Sequence, residues 1–176
     1  FSVLFAFLIF IFVVFLMSIF VKKQEDVYYE PSLTVLVPTY NEGDNIGECL
    51  ESIQTQDYPK NKVEIIVVDD GSTDNTLEVV KKFKGVKLIT QDHKGKSDAL
   101  NLGVKHSKYE IIFSIDADTI IGEDSLKNMV KPFIDENIGA TTGNSRVQNP
   151  KGLLGMFQNV EYSYNNLIRG SFTKLF

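Results

Sequence analysis

The 176 residues contain no tryptophan and one cysteine, Cys49. A lone cysteine excludes a disulfide framework and any zinc site built on cysteines, and it reads as a small buried hydrophobe. The 2 histidines, His93 and His106, are too few and too far apart for a metal cluster. No Lys/Arg-rich block occurs, and 18 Lys+Arg against 23 Asp+Glu give a formal net charge of −5, which argues against nucleic acid as a partner. Neither a Gly-x-x-x-x-Gly-Lys-Ser/Thr loop nor a Gly-x-Gly-x-x-Gly turn is present, so an ATPase or a dehydrogenase has no motif to support it. No Asn-x-Ser/Thr sequon is found either. The length suits one domain with a real core, and apolar runs recurring along the chain exclude intrinsic disorder.

What is present falls into two unlike pieces. Phe1 to Val21 carries no charge, and Ser2 and Ser18 are its only polar members. A helix of about 20 residues spans roughly 30 Å, the thickness of a bilayer's hydrocarbon layer. A signal peptide needs a basic start, a shorter apolar stretch and a small-residue cleavage site, none of which is visible. A buried core helix is rarely apolar on every face for this length. The run is therefore expected to be a transmembrane helix. Lys22 and Lys23 follow it directly, which places the rest on the cytoplasmic side of the cell membrane. The first residue is not methionine, and the chain reads as a fragment.

After a linker at 22–31 a rhythm begins. Leu33 to Val37 reads as a strand stopped by Pro38, and Ile46, Cys49, Leu50 and Ile53 fall on one helical face. Ile65 to Val68 is a β-branched run suited to a parallel strand covered on both sides. Leu77, Val80 and Phe83 mark a second helix, with Ser72, Thr73 or Asp74 available to cap it. Val86 to Ile89 is a third strand, Leu100 and Val104 lie on a third helix, and Glu110 to Ile115 is a fourth strand. Leu126, Met129, Val130 and Phe133 form a fourth helix that Pro132 kinks or ends. Ala140 to Val147 allows one more strand. The alternation gives an α/β class with a mainly parallel, Rossmann-like sheet and flanking helices. Leu153, Phe157, Val160, Tyr164 and Leu167 then form the stripe of a last amphipathic helix, packed on its own sheet or lying along a membrane surface.

Ligands bind at the carboxyl ends of the strands in an open parallel sheet. Polar groups gather there four times: Thr39-Tyr40-Asn41-Glu42, Asp69-Asp70-Gly71-Ser72, Asp92-His93-Lys94-Gly95-Lys96 and Asp116-Ala117-Asp118. Any one has a dull explanation as a turn or a cap; four on one rim do not. Asp116 and Asp118 would repel if packed close and unpaired, and a hard cation such as Mg²⁺ or Mn²⁺ removes the conflict while leaving places for phosphate oxygens. Lys96 opens the third helix, where it is either solvated or holds a diphosphate. His93 reads as a member of that phosphate loop. Tyr40 stacks on a base or fills a gap.

The four segments Val37-Pro38-Thr39-Tyr40-Asn41-Glu42, Val67-Val68-Asp69-Asp70-Gly71-Ser72-Thr73-Asp74, Gly95-Lys96-Ser97-Asp98-Ala99-Leu100-Asn101 and Asp116-Ala117-Asp118 resemble family 2 glycosyltransferases in order and spacing. With the apolar N-terminus and Gly143-Asn144-Ser145-Arg146-Val147 ahead of a long helix, the chain is similar to the processive membrane branch that makes cellulose, chitin, hyaluronan and poly-N-acetylglucosamine. The resemblance implies a GT-A domain at 32–150 that binds a UDP-sugar, between a transmembrane helix at 1–21 and an amphipathic helix at 151–176 that opens the acceptor or membrane-interface part. It puts Thr39, Tyr40, Glu42, Asp69, Asp70, Lys96 and Asp116 on the donor nucleotide: Tyr40 and Glu42 at the uracil, Asp69 or Asp70 at its ring or the ribose, Lys96 at the diphosphate. Asp118, with Asp116, binds Mg²⁺ or Mn²⁺. The implied reaction is an inverting transfer of a sugar such as N-acetylglucosamine to a growing polysaccharide. A lipid-linked acceptor, or a sugar nucleotidyltransferase, is the alternative. The general base and the Gln-x-x-Arg-Trp motif of the family are expected beyond Phe176; Glu123, Asp124, Glu136 and Glu161 are the remaining carboxylates, none within a motif.

Overall fold

A computed structural model of the chain describes the backbone of residues 2–20, 28–148 and 152–175, and side-chain placement for residues 5–13, 16, 28–148 and 152–164. Two compact units result, residues 1–26 with 142–176, and Val27–Thr141. In the first, helices α1 (Ser2–Phe20) and α6 (Gly152–Leu175) lie against each other. Among the described residues no helix is long and apolar enough to cross a membrane. The transmembrane helix expected over Phe1 to Val21 is thus not established here, since its two end residues and many of its side chains lie outside the described set. Most of the expected linker lies outside it too. On α6 the stripe residues Leu153, Phe157, Val160 and Tyr164 are all exposed.

The second unit carries strands β1 (Leu33–Thr39), β2 (Val63–Asp69), β3 (Val86–Thr90) and β4 (Ile111–Ser114), with helices α2 (Ile46–Gln54), α3 (Thr76–Val80), α4 (Lys96–His106) and α5 (Ser125–Val130) between and after them. All pairings are parallel, and the strand order is β3-β2-β1-β4. The chain winds outward from β1 to β3 and then returns to place β4 on the other side. The order therefore reverses between β1 and β4, which opens a crevice beyond their carboxyl ends.

Successive side chains of a strand point to opposite faces, so β1 and β2 must be apolar on both. Val35, Val37, Ile65 and Val67 face one side, where Ile46, Cys49, Leu50 and Ile53 of α2 cover them with Leu126 and Val130 of α5. Leu36, Ile66 and Val68 face the other, against Ala99, Leu100 and Leu102 around α4. The α4 contact is closer than its sequence suggests. Val104 is exposed, and Gly103 takes the inner position: a Cβ there would lie 2.1 Å from Leu36 Cδ1. Any larger residue there would have to displace the Leu36 side chain.

Several elements differ from expectation, among them α3, which ends at Val80 before reaching Phe83. Strand β1 continues through Pro38 to Thr39. Leu36 O accepts from Ile115 N on the β4 side and Thr39 O from Asp70 N on the β2 side, so Pro38 is turned toward β4, where pairing has already ended at Leu36 with Ser114. Its missing N–H costs no ladder bond. Strand β4 is shorter than Glu110 to Ile115. Residues 140–147 form no strand: the segment is mostly exposed, with Gly143 and Asn144 at its middle. Helix α5 does end where Pro132 enters a 3₁₀ turn, Lys131–Ile134.

Candidate functional site

The β1 loop is fastened by a set of hydrogen bonds to the segment that follows β2. Asn41 N donates to Ser72 Oγ at 2.8 Å, and Thr73 N donates to Asn41 Oδ1 at 2.8 Å. Glu42 N donates to Thr76 Oγ1 at 2.9 Å, and Gly43 N to Asp74 Oδ2 at 3.0 Å. Asn41 makes the turn with φ 54°, a left-handed conformation that asparagine tolerates better than most residues. Tyr40 is thereby held at the rim, 43 % exposed. Glu42 is half used: its Oε2 accepts from Asn45 Nδ2 at 2.7 Å at the entry to α2. Reading Ser72, Thr73 and Asp74 as helix caps misses their larger task. Asp74 does accept from Thr76 N, but the same carboxylate also holds Gly43. The bond from the Thr76 hydroxyl is the first reason its carboxyl stays below the usual range.

Asp69 and Asp70 are both buried, and the structure separates their tasks. Asp70 is saturated from within. Its Oδ1 accepts from Gln91 Nε2 at 2.6 Å and Lys94 N at 2.9 Å, its Oδ2 accepts from Gly95 N at 2.8 Å, and His93 Nδ1 lies 2.8 Å from Oδ2. Burial alone raises this carboxyl; the bonds from Lys94, Gln91 and Gly95 and the nearby His93 outweigh it, and it stays ionised below the ordinary aspartate range. Asp69 Oδ2 accepts from Ser72 N at 3.1 Å, but its Oδ1 has no partner. Neither has Thr39 Oγ1, which sits opposite it in the β1–β2 register. Buried polar atoms are normally satisfied, so these two orphans at the carboxyl ends of β1 and β2 are atoms with hydrogen-bonding capacity to spare.

Lys96 is the first residue of α4, and its Nζ lies 2.5 Å from Asp116 Oδ1, with both side chains more than half exposed. The repulsion expected between the acids after β4 is thus relieved by a lysine. Asp118 is exposed in the same turn, with Thr119 Oγ1 donating weakly to its Oδ1 at 3.3 Å. This turn is gripped from below by α2 and the residues just after it. Cys49 Sγ reaches Asp116 O at 3.6 Å, Ser52 Oγ accepts from Ile121 N, and the buried Gln56 amide donates to Gly122 O while accepting from Leu126 N. Burial first, then the fields of Asp118 and Asp116, push the Cys49 thiol up to about 12, so it is inert. Gln56 is a support the sequence does not advertise.

Among the described residues no three His, Cys, Asp or Glu side chains form a group able to hold a metal ion alone. Mg²⁺ is commonly held by one or two carboxylates, with water and substrate phosphates completing its shell. Asp116 and Asp118 supply hard oxygens beside an exposed lysine, so the donor set fits. Among the other carboxylates, Asp124 stands at the N-cap position of α5 without a side-chain capping bond, and Glu161 lies on α6 in the other unit.

Residues 34–174 match the family model described as Glycosyl transferase family 2. The chain belongs to that family. It is 38 % identical over 149 residues to a poly-beta-1,6-N-acetyl-D-glucosamine synthase of Staphylococcus aureus, covering 81 % of this chain and 36 % of the relative. The Staphylococcus epidermidis synthase of the same name is 37 % identical over 136 residues, 74 % of this chain and 32 % of its own. The chain thus spans about a third of the length of these relatives. Among solved structures, the mannosyltransferase PcManGT from Pyrobaculum calidifontis, in complex with GDP-Man and Mn²⁺, is similar with a TM-score of 0.65 and 36 % identity, over 80 % of this chain and 44 % of that one. S. aureus TarS 1-349 in complex with UDP-GlcNAc gives 0.56 and 31 %, over 67 % and 38 %. The parallel α/β sheet is that of a GT-A-like fold.

Proposed function

We propose that this chain is the donor-binding part of an inverting, membrane-anchored glycosyltransferase that moves N-acetylglucosamine from UDP-N-acetylglucosamine to a growing polysaccharide. The observation that carries this is the pair of orphaned atoms, Thr39 Oγ1 and Asp69 Oδ1, on the same rim as Tyr40, Lys96 and Asp116. An acceptor and a hydroxyl suit the edge of a base or a ribose. Lys96 suits a diphosphate, for which it would exchange its contact with Asp116. Asp116 and Asp118 would hold Mg²⁺ or Mn²⁺, which supplies charge neutralisation to the departing diphosphate. Glu42 and Asp70 frame the base, Asp70 by fixing the loop rather than by free lone pairs. The sugar rests on the name of the synthase relatives. The anchor, and with it a cytoplasmic face of the cell membrane, rests on the charge-free sequence of α1 and the two lysines after it.

Calorimetric titration of this chain with UDP and with GDP, each with and without Mn²⁺, tests the reading. Binding of UDP that requires the cation is expected. No binding of UDP, or tighter binding of GDP, sinks the uridine assignment. Alkaline extraction of membranes from cells expressing the chain with and without residues 1–21 tests the anchor, and a chain released in both cases removes it.

A further inference from the structure

His93 remains without a task in that scheme, and its surroundings assign one. Its ring stacks on Tyr40 with centroids 4.2 Å apart and planes 27° from parallel. Its Nδ1 lies 2.8 Å from Asp70 Oδ2 and 3.1 Å from Asp70 O. Asp70 is 3 % exposed and is itself fixed by Gln91, Lys94 and Gly95. The backbone closes in as well: at Gly71, with φ 82°, a Cβ would stand 2.9 Å from His93 N. The histidine is therefore clamped by one face and one nitrogen, while its side chain stays 57 % exposed. With one face of Tyr40 against His93, what the tyrosine leaves open is its other face and its edge.

Resting on the donor-site reading above, we propose that His93 is a positioning residue that orients Tyr40 as a preformed platform for the planar base of the donor nucleotide. Asp70 holds His93, His93 holds Tyr40, and the base completes a three-layer stack. A ring fixed before binding loses no rotamer freedom when the ligand arrives. Its Nδ1 and one ring face are committed to Asp70 and Tyr40, which leaves Nε2 as the atom for the phosphate-loop task expected of His93.

The test is titration of this chain, wild type and variants, with UDP, uridine and inorganic pyrophosphate in the presence of Mg²⁺. Loss of an offset stack is expected to weaken UDP and uridine in His93→Ala by the same factor, about three- to tenfold, with pyrophosphate unchanged. His93→Phe, which keeps a ring, recovers most of the loss. His93→Gln, which keeps a hydrogen bond to Asp70 and loses the ring, does not. Wild-type affinity in His93→Ala, a loss that appears with pyrophosphate, or equal values for the Phe and Gln variants each overturn the proposal. Thermal unfolding checks that the variants fold, and if His93→Ala does not, the Phe and Gln pair decides. A wild-type chain that binds pyrophosphate but neither UDP nor uridine overturns the donor reading together with this proposal. Wild-type binding of UDP with an indifferent His93→Ala overturns this proposal alone.

Discussion

Asp69 and Asp70 at the end of β2 are 1 % and 3 % exposed, whereas the side chain of Asp116, at the end of β4, is 56 % exposed. Both pairs stand on one rim of one sheet, and burial gives them different work. Asp70 accepts four internal contacts and organises residues 91–95 before any ligand arrives. Asp116 has one lysine at its side, in solvent, where an ion pair is weak and easily exchanged. A buried acid that has all its partners belongs to the architecture. An exposed one with a solvent-facing counter-charge is available for chemistry.

The sharpest way to break this contrast is Asp70→Ala. It strips the acceptor from the Lys94 and Gly95 N–H groups and from Gln91, and about 3 kcal/mol of stability is expected to be lost in urea unfolding, with UDP binding lost alongside. Asp118→Asn is expected to do the opposite, weakening Mn²⁺-dependent UDP binding about a hundredfold while stability stays within about 0.5 kcal/mol of wild type. Equal stability losses in the two variants erase the distinction. Lys96→Met sharpens it: UDP affinity is expected to fall about tenfold with uridine unaffected, as read by calorimetry.

The smallest effect is in pH. Hydrogen bonds hold the Asp70 carboxyl below its ordinary value despite burial, so the stability it contributes is complete above that value. It is lost as pH falls through the ordinary aspartate range and below, from about pH 4 downward. The difference in unfolding midpoint between wild type and Asp70→Asn should therefore shrink on acidification, and a difference that grows removes the assignment.

Most of the fold is legible in the sequence because burial on two faces leaves a strong mark. Ile65 to Val68 announces a covered parallel strand, and Ile46, Cys49, Leu50 and Ile53 announce the helix above it. The rim residues are legible as positions, since acids after apolar strands stand out. Their partners are not. Gln56 and Gln91 look like any surface glutamine, yet one braces the acid turn and the other holds Asp70. The stacking of His93 on Tyr40 joins residues far apart in sequence, and no periodicity encodes it. Pro38 deceives in the other direction, since a proline breaks a strand only where a neighbour awaits its N–H. The segment 140–147 looks extended in sequence, yet it is mostly exposed and forms no strand.

The seat of α4 on Leu36, through the bare backbone of Gly103, reaches further than local packing. Lys96 starts that helix seven residues earlier, roughly 10 Å up its axis. The lysine's place at the rim is thus tied to an apolar seat at the other end of its helix, where an added methyl group would have to displace a core leucine or the helix itself.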